Sequence, residues 1–145
     1  GLTNVSVTNS AIYSAGSDAI EVATSVGARI ANSILYGSTG WGVNSASSGN
    51  QILVVNTAMG ANGSGDTTGV PFLVDNIVLS ADPFTDAAKD DYSLNNVAGG
   101  GAVCRDAGFP GAFIGGTTTS YLDIGAAQRQ AGGGAGGPSA SPIVF

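Results

Sequence analysis

The sequence predicts an all-β chain folded as a right-handed parallel β-helix, a solenoid with an irregular C-terminal closing segment. Three observations predict it. A short motif recurs at steps of 23 and 24 residues, apolar residues alternate with others just before each recurrence, and the composition favours turns over helices.

The motif is Asn9-Ser10-Ala11-Ile12, then Asn32-Ser33-Ile34-Leu35, then Asn56-Thr57-Ala58-Met59. Before each Asn, Val5, Ala28 and Ile52 align, and so do Val7, Ile30 and Val54, which spells a short strand with one face apolar. Further on, Ile20 aligns with Val43 and Glu21 with Asn44, giving a second strand in the first two copies. The third copy departs at Gly60-Ala61-Asn62-Gly63-Ser64-Gly65-Asp66, which reads as a larger loop. Copies this short, with no helical period, bury their apolar positions only by stacking one on the next. The expected internal stacks are Val5/Ala28/Ile52, Val7/Ile30/Val54 and Ile12/Leu35/Met59. Asn9, Asn32 and Asn56 are expected to form a structural ladder at one corner, with side-chain amides bonding along the column and to turn backbone. A leucine-rich repeat would need a Leu-dense consensus that is absent. A β-sandwich would leave the constant spacing without a cause.

Composition supports this reading. Charged residues are 10% of the chain and glycines number 24, while the hydrophobic fraction is 43%, so polarity comes from Ser, Thr and Asn. Those residues supply turns rather than helices. The net charge of −6 repels phosphate backbones and anionic lipids, so nucleic acid is not an expected partner. No apolar run approaches the ~18 residues of a membrane span. Cys104 is the single cysteine and the chain has no His to activate it, so it is expected to be a small buried hydrophobe.

Residues 1–80 are assigned to the coils and 81–130 to a closing segment of the same domain. Residues 131–145, beginning Ala131-Gly132-Gly133-Gly134, read as a Gly-rich linker or tail that leads onward. Thr3-Asn4-Val5 enters the repeat with no polar cap, from which further upstream coils of a parent chain, or a covering subunit, are expected.

The closing segment carries four ordered words: Asp82-Pro83-Phe84-Thr85-Asp86, Asp91-Tyr92-Ser93-Leu94, Ala102-Val103-Cys104-Arg105-Asp106-Ala107-Gly108, and Asp123-Ile124-Gly125-Ala126 after Tyr121-Leu122. In that order they resemble the ends of bacterial and phage β-helix proteins, including the choice-of-anchor Q type. The resemblance covers roughly residues 77 to 130 and rests on the order of the words rather than on any one. It departs at Cys104-Arg105-Asp106, where the family word runs A-[IV]-D-x-G, and at Ala127-Gln128, where an aromatic and an acid are common. It implies the architecture and an extracellular, cell-surface or virion setting, without implying an activity. The aspartates are expected to act as turns and caps closing the column's open edge, with Asp82, Asp91 and Asp123 accepting backbone N–H groups. A calcium site among Asp82, Asp86, Asp90 and Asp91 is the sharper alternative, set aside because the spacing matches no defined calcium loop.

The function expected from the sequence is that of a non-catalytic structural or adhesive module of a larger extracellular or fibre-like virion protein. No catalytic, cofactor or metal residues are assigned. Partners expected are further coils or other copies, as a homotrimer or filament, and a cell-surface glycan. For the glycan, Trp41, Tyr13 and Tyr36 are the candidate contacts, since aromatic faces bind apolar sugar faces. The alternative is the C-terminal fragment of a polysaccharide lyase or glycoside hydrolase. For hydrolysis Asp18 and Glu21 are the nearest carboxylate pair, and Arg29 is the candidate lyase base.

Overall fold

The computed structural model describes residues 3–23, 26–47, 49–108 and 123–127. The Gly-rich segment, the chain's last residues and the Tyr121-Leu122 dipeptide lie outside the described residues.

The chain winds as a parallel β-helix. Its first coil contributes β1 (Thr3–Thr8), β2 (Ala11–Tyr13) and β3 (Ile20–Val22). The second contributes β4 (Val26–Ala31), β5 (Ile34–Tyr36) and β6 (Trp41–Ser45). The third contributes β7 (Gln51–Val55), β8 (Ala58–Gly60) and β9 (Gly65–Thr68), and a partial fourth adds β10 (Phe72–Val74) and β11 (Ile77–Val78). Three sheets result, ordered β1-β4-β7-β10, β2-β5-β8-β11 and β3-β6-β9, with every neighbouring pair parallel.

The register is the one the repeat demands. Val5 pairs with Ala28 and Ala28 with Ile52, Val7 with Ile30 and Ile30 with Val54, and Ile12 with Leu35 and Leu35 with Met59. In the third sheet Ile20 pairs with Val43 and Glu21 with Asn44. Alternation turns the apolar rows inward and the Glu21/Asn44 row outward; Val22, Ile30, Leu35, Val43, Ile52, Val54 and Met59 form one buried cluster flanked by Val7, Ile12, Ile20 and Ala28. A three-residue strand has little stability alone; here each is held by apolar contact and backbone bonds to the coils beside it, about 4.8 Å away.

Two features depart from the sequence expectation. The third copy keeps its third strand, because Trp41 pairs with Gly65 and Val43 with Thr67 after a short loop. Gly65-Asp66-Thr67-Thr68 lacks apolar alternation, since only Thr67 continues the Ile20/Val43 row. The partial fourth coil is also new. Its corner residue Asp75 follows Asn56 by 19 residues, breaking the step of the earlier copies.

Residues 81–108 hold an antiparallel pair, β12 (Phe84–Asp86) and β13 (Asp91–Leu94), joined by a 3-10 turn at Ala87–Lys89, and a one-turn helix α1 (Gly101–Cys104). Asn95 knits this segment. Its amide donates to the carbonyls of Asp82 and Phe84, and its Oδ1 accepts from the backbone of Val97 and Gly101. Sequence reasoning placed the segment over the open edge of the column, and the structure corrects this. Phe84, Leu94, Cys104 and Ile124 pack instead on the outward residues of the second sheet, Ala11, Tyr13, Ile34, Tyr36, Ala58 and Ile77, and on Leu79 just beyond it. The reason is in the sequence of that sheet, whose outward positions are apolar or aromatic and would otherwise face water. Gly60 lets the fourth coil stack directly on the third, since a Cβ there would lie 2.4 Å from the Leu79 carbonyl oxygen.

Ile30 is fully buried in the middle of the column. The Ile30→Asp variant is expected to lose several kcal/mol of stability and to unfold or aggregate, because an unpaired carboxylate enters an apolar row. Circular dichroism melting checks this; a parental melt would show that Ile30 does not belong to the inner stack.

Candidate functional site

The residues that sequence reasoning singled out fall into four groups in the structure. Asn9, Asn32 and Asn56 occupy one corner, each following a strand of the first sheet, with φ of 49°, 50° and 45°. This left-handed conformation is unfavourable for most side chains and tolerable for Asn and Asp. Asp75 repeats it at φ 49° on the fourth coil. At each level the corner N–H donates to the next coil, from Asn9 to Ala31, Asn32 to Val55 and Asn56 to Val74.

The Asn56 amide donates to the Ala107 carbonyl at 3.5 Å, and the residue after each Asn adds side-chain bonds at this corner. The Ser10 N–H donates to Ser33 Oγ at 3.3 Å, and the Thr57 N–H to Asn76 Oδ1 at 2.9 Å. Ser10, Ser33 and Thr57 hydroxyls in turn donate to the carbonyls of Thr8, Ala31 and Val55. Sequence reasoning missed this second row, although Ser, Ser and Thr recur in register beside the more conspicuous Asn.

The aromatic candidates do not form one face. Tyr13 and Tyr36 lie in the second sheet and stack with ring centres 6.2 Å apart. Phe84 and Tyr92 of the closing segment pack edge-on against Tyr13, with centres 5.7 and 6.4 Å away. The Tyr13 hydroxyl donates to Asp82 Oδ2 at 3.2 Å. Burial, reinforced by Asp82 and Tyr13, raises the pKa of Tyr36 above its ordinary value. Trp41 belongs to the third sheet, where its ring lies over Gly65; a Cβ there would be 2.7 Å from Cζ3. The joint platform of Trp41, Tyr13 and Tyr36 is therefore not assembled, because the closing segment packs on the two tyrosines and the tryptophan sits on another side.

Asp18 and Glu21 differ in what their carboxylates meet. Asp18 Oδ1 accepts the Trp41 N–H at 2.6 Å and Oδ2 accepts the Asn44 amide at 2.7 Å, both from the second coil. These two bonds hold its pKa below the ordinary carboxylate value. Glu21 is exposed on β3. Together with Arg29 it lines a hollow of about 170 Å³ whose other walls include Val5, Val7, Ile20, Val22, Ala28 and Ile30.

The closing aspartates serve separate contacts. Asp82 Oδ1 accepts from the Phe84 N–H, Asp91 Oδ1 from the Ser93 N–H and Asp123 Oδ1 from the Asp106 N–H, as expected of turn and cap residues. Its bonds to Ser93 lower the pKa of Asp91. Asp86 pairs with Lys89, and Asp90 sits at φ 61° after the 3-10 turn. Among the described residues no group of three or more His, Cys, Asp or Glu is placed to hold a metal ion. Cys104 is buried, and burial, with a smaller push from Asp123, raises its thiol pKa to about 12. At neutral pH it is therefore a thiol and a poor nucleophile.

Compared with protein-family models, curated proteins and solved structures, the chain matches none.

The corner geometry separates a backbone role for Asn from an amide-ladder role. Asn9 is exposed and left-handed. The Asn9→Gly variant is expected to melt near the parent, whereas Asn9→Val should cost about 1–2 kcal/mol from the strained φ. Equal losses in both variants, read by thermal melting, would assign the stabilisation to the side-chain amide.

Proposed function

We propose that the chain is a non-catalytic structural or adhesive module of a larger extracellular or virion protein, of the bacterial-surface or phage-fibre kind that its closing words resemble. The observation that carries this reading is the placement of its polar side chains. Asp18, Asn50, Asn62, Asn76 and Asp82 each bond to a residue of another coil or, for Asp82, to a tyrosine of the column. Of the carboxylates, Asp18 is engaged in holding the first coil to the second and Asp82 in holding the closing segment to the column. A rod of this design supplies spacing and a repetitive surface, and its natural partners are a cell-surface glycan, further coils, or other copies in a trimer or filament.

The alternative is a fragment of a polysaccharide lyase or glycoside hydrolase, with Glu21 and Arg29 beside the apolar hollow as its chemistry. The two readings separate in an assay of the 145-residue chain against acidic and neutral glycans, with and without calcium, following reducing ends and unsaturated products. No turnover is expected for the parent, Asp18→Asn or Glu21→Gln. Parental turnover that disappears in either variant would place an active site on the first coil and overturn the structural reading.

A further inference from the structure

The largest exposed apolar feature among the described residues is the fourth coil. Phe72, Leu73, Val74 and Val78 are 52%, 51%, 43% and 77% exposed. Leu73 stands in line with Val54, and Val78 with Met59, so both continue inner rows that end there among the described residues. Around them lies a hollow of about 410 Å³ lined by Met59, Asp66, Thr67, Leu73, Asn76, Ile77 and Val78. Among the described residues the edges of β10 and β11 are unpaired on this side, and an uncovered strand edge of apolar residues is a template for another strand.

The bonds between lower coils define what fits that edge. Two backbone contacts recur at all three corners, and a side-chain contact joins them at the first and third. The corner N–H donates upward to a carbonyl, as Asn56 does to Val74. The following N–H donates upward to a side-chain oxygen, as Thr57 does to Asn76. The next N–H of the upper coil donates back down, as Ile77 does to Thr57. On the fourth coil the N–H groups of Asp75 and Asn76 and the carbonyl of Asn76 are the places where these bonds would continue. An occupant must therefore be a parallel strand, a corner carrying a hydroxyl or amide oxygen, and a second strand, with apolar residues over Leu73 and Val78.

We propose that the occupant is the first coil of a second copy of this chain, stacked head to tail. The register of the four coils carries over without adjustment. Val7 falls over Leu73, Thr8 over Val74 and Ile12 over Val78, following the rows that already join β1 to β10 and β2 to β11. The Ser10 hydroxyl, which donates to Thr8, has lone pairs free to accept the Asn76 N–H, as Ser33 accepts from Ser10. The Asp75 N–H then meets the Thr8 carbonyl, and the Ala11 N–H meets the Asn76 carbonyl. Such a contact joins two different surfaces and does not close on itself, so it extends into a filament. This deepens the structural reading of the chain by naming its partner, and it rests on that reading for its setting.

Sedimentation velocity of the full chain over rising concentration tests it. The parent is expected to associate beyond a dimer, and Val78→Asp to remain monomeric with an unchanged circular dichroism spectrum, since Val78 is exposed. A second measurement fixes the orientation. In a mixture of Thr8→Cys and Val74→Cys chains, a short thiol-to-thiol cross-linker should join the two variants to each other, with buried Cys104 not competing. A parent that stays monomeric at every concentration, a Val78→Asp chain that associates like the parent, or cross-links only between identical variants would each overturn the proposal. Glycan turnover would sink the structural reading while leaving the sedimentation result untouched, so the two failures are distinguishable.

Discussion

The structure depends on one constraint: every strand must find the same residue position of the next coil directly above it. Strands of two to six residues cannot hold themselves, and the described residues add only a 3-10 turn and a four-residue α-helical turn. What holds them is vertical. Ile30 rests between Val7 and Val54, and Leu35 between Ile12 and Met59, so that removing a coil uncovers the next. The corners obey the same rule. A left-handed residue turns the chain between the first and second sheets at Asn9, Asn32, Asn56 and Asp75. After the second sheet, Ser14, Gly37 and Ala61 turn it again with positive φ, each at the same level of its coil. Ser14 and Ala61 adopt this conformation without the freedom of Gly, and at Ser14 the N–H bond to the Tyr36 carbonyl of the next coil helps to hold it.

A solenoid of so few coils has a large side surface for its volume, and the chain covers part of it with its own closing segment. That segment forms a second core on the outer face of the second sheet rather than a lid on its end. Ile124 is fully buried there against Ile34, and the Gly125 N–H donates to the Asn32 carbonyl. A Cβ at Gly125 would stand 2.8 Å from Ile34 Cδ1, so glycine is what permits the contact. The acidic residues of this region follow from the same architecture. Asp82, Asp91 and Asp123 satisfy backbone N–H groups where short strands and turns leave them unpaired, and Asp86 pairs with Lys89.

The coils were legible in the sequence because side-chain identity and spacing encode them together. Val7, Ile30 and Val54 share chemistry and step, so pattern alone gives their register. The fourth coil was not legible by that route: its corner is Asp75, its step is shorter, and Phe72-Leu73-Val74 lacks alternation because both faces of an edge strand are exposed. The position of the closing segment could not be read either, since its words specify turns and not the surface they pack on. The outward Tyr13, Ile34, Tyr36 and Ile77 were the available signal, an apolar outer face on one sheet. For the candidate site, the Asn corner was legible as a place but its bonding was not, because a left-handed backbone leaves no mark in sequence beyond the residue that tolerates it. Asp18 is similar: its carboxylate reads equally as an acid or a staple until Trp41 and Asn44 are seen above it.

Methyl contacts in solution test the central claim most directly. In nuclear Overhauser spectra of the folded chain, Ile30 methyl groups are predicted to show cross-peaks to the methyls of both Val7 and Val54, residues on either side of it by one coil. Cross-peaks from Ile30 to neither, with the chain folded, would contradict in-register stacking and with it the account of the fold and its ends.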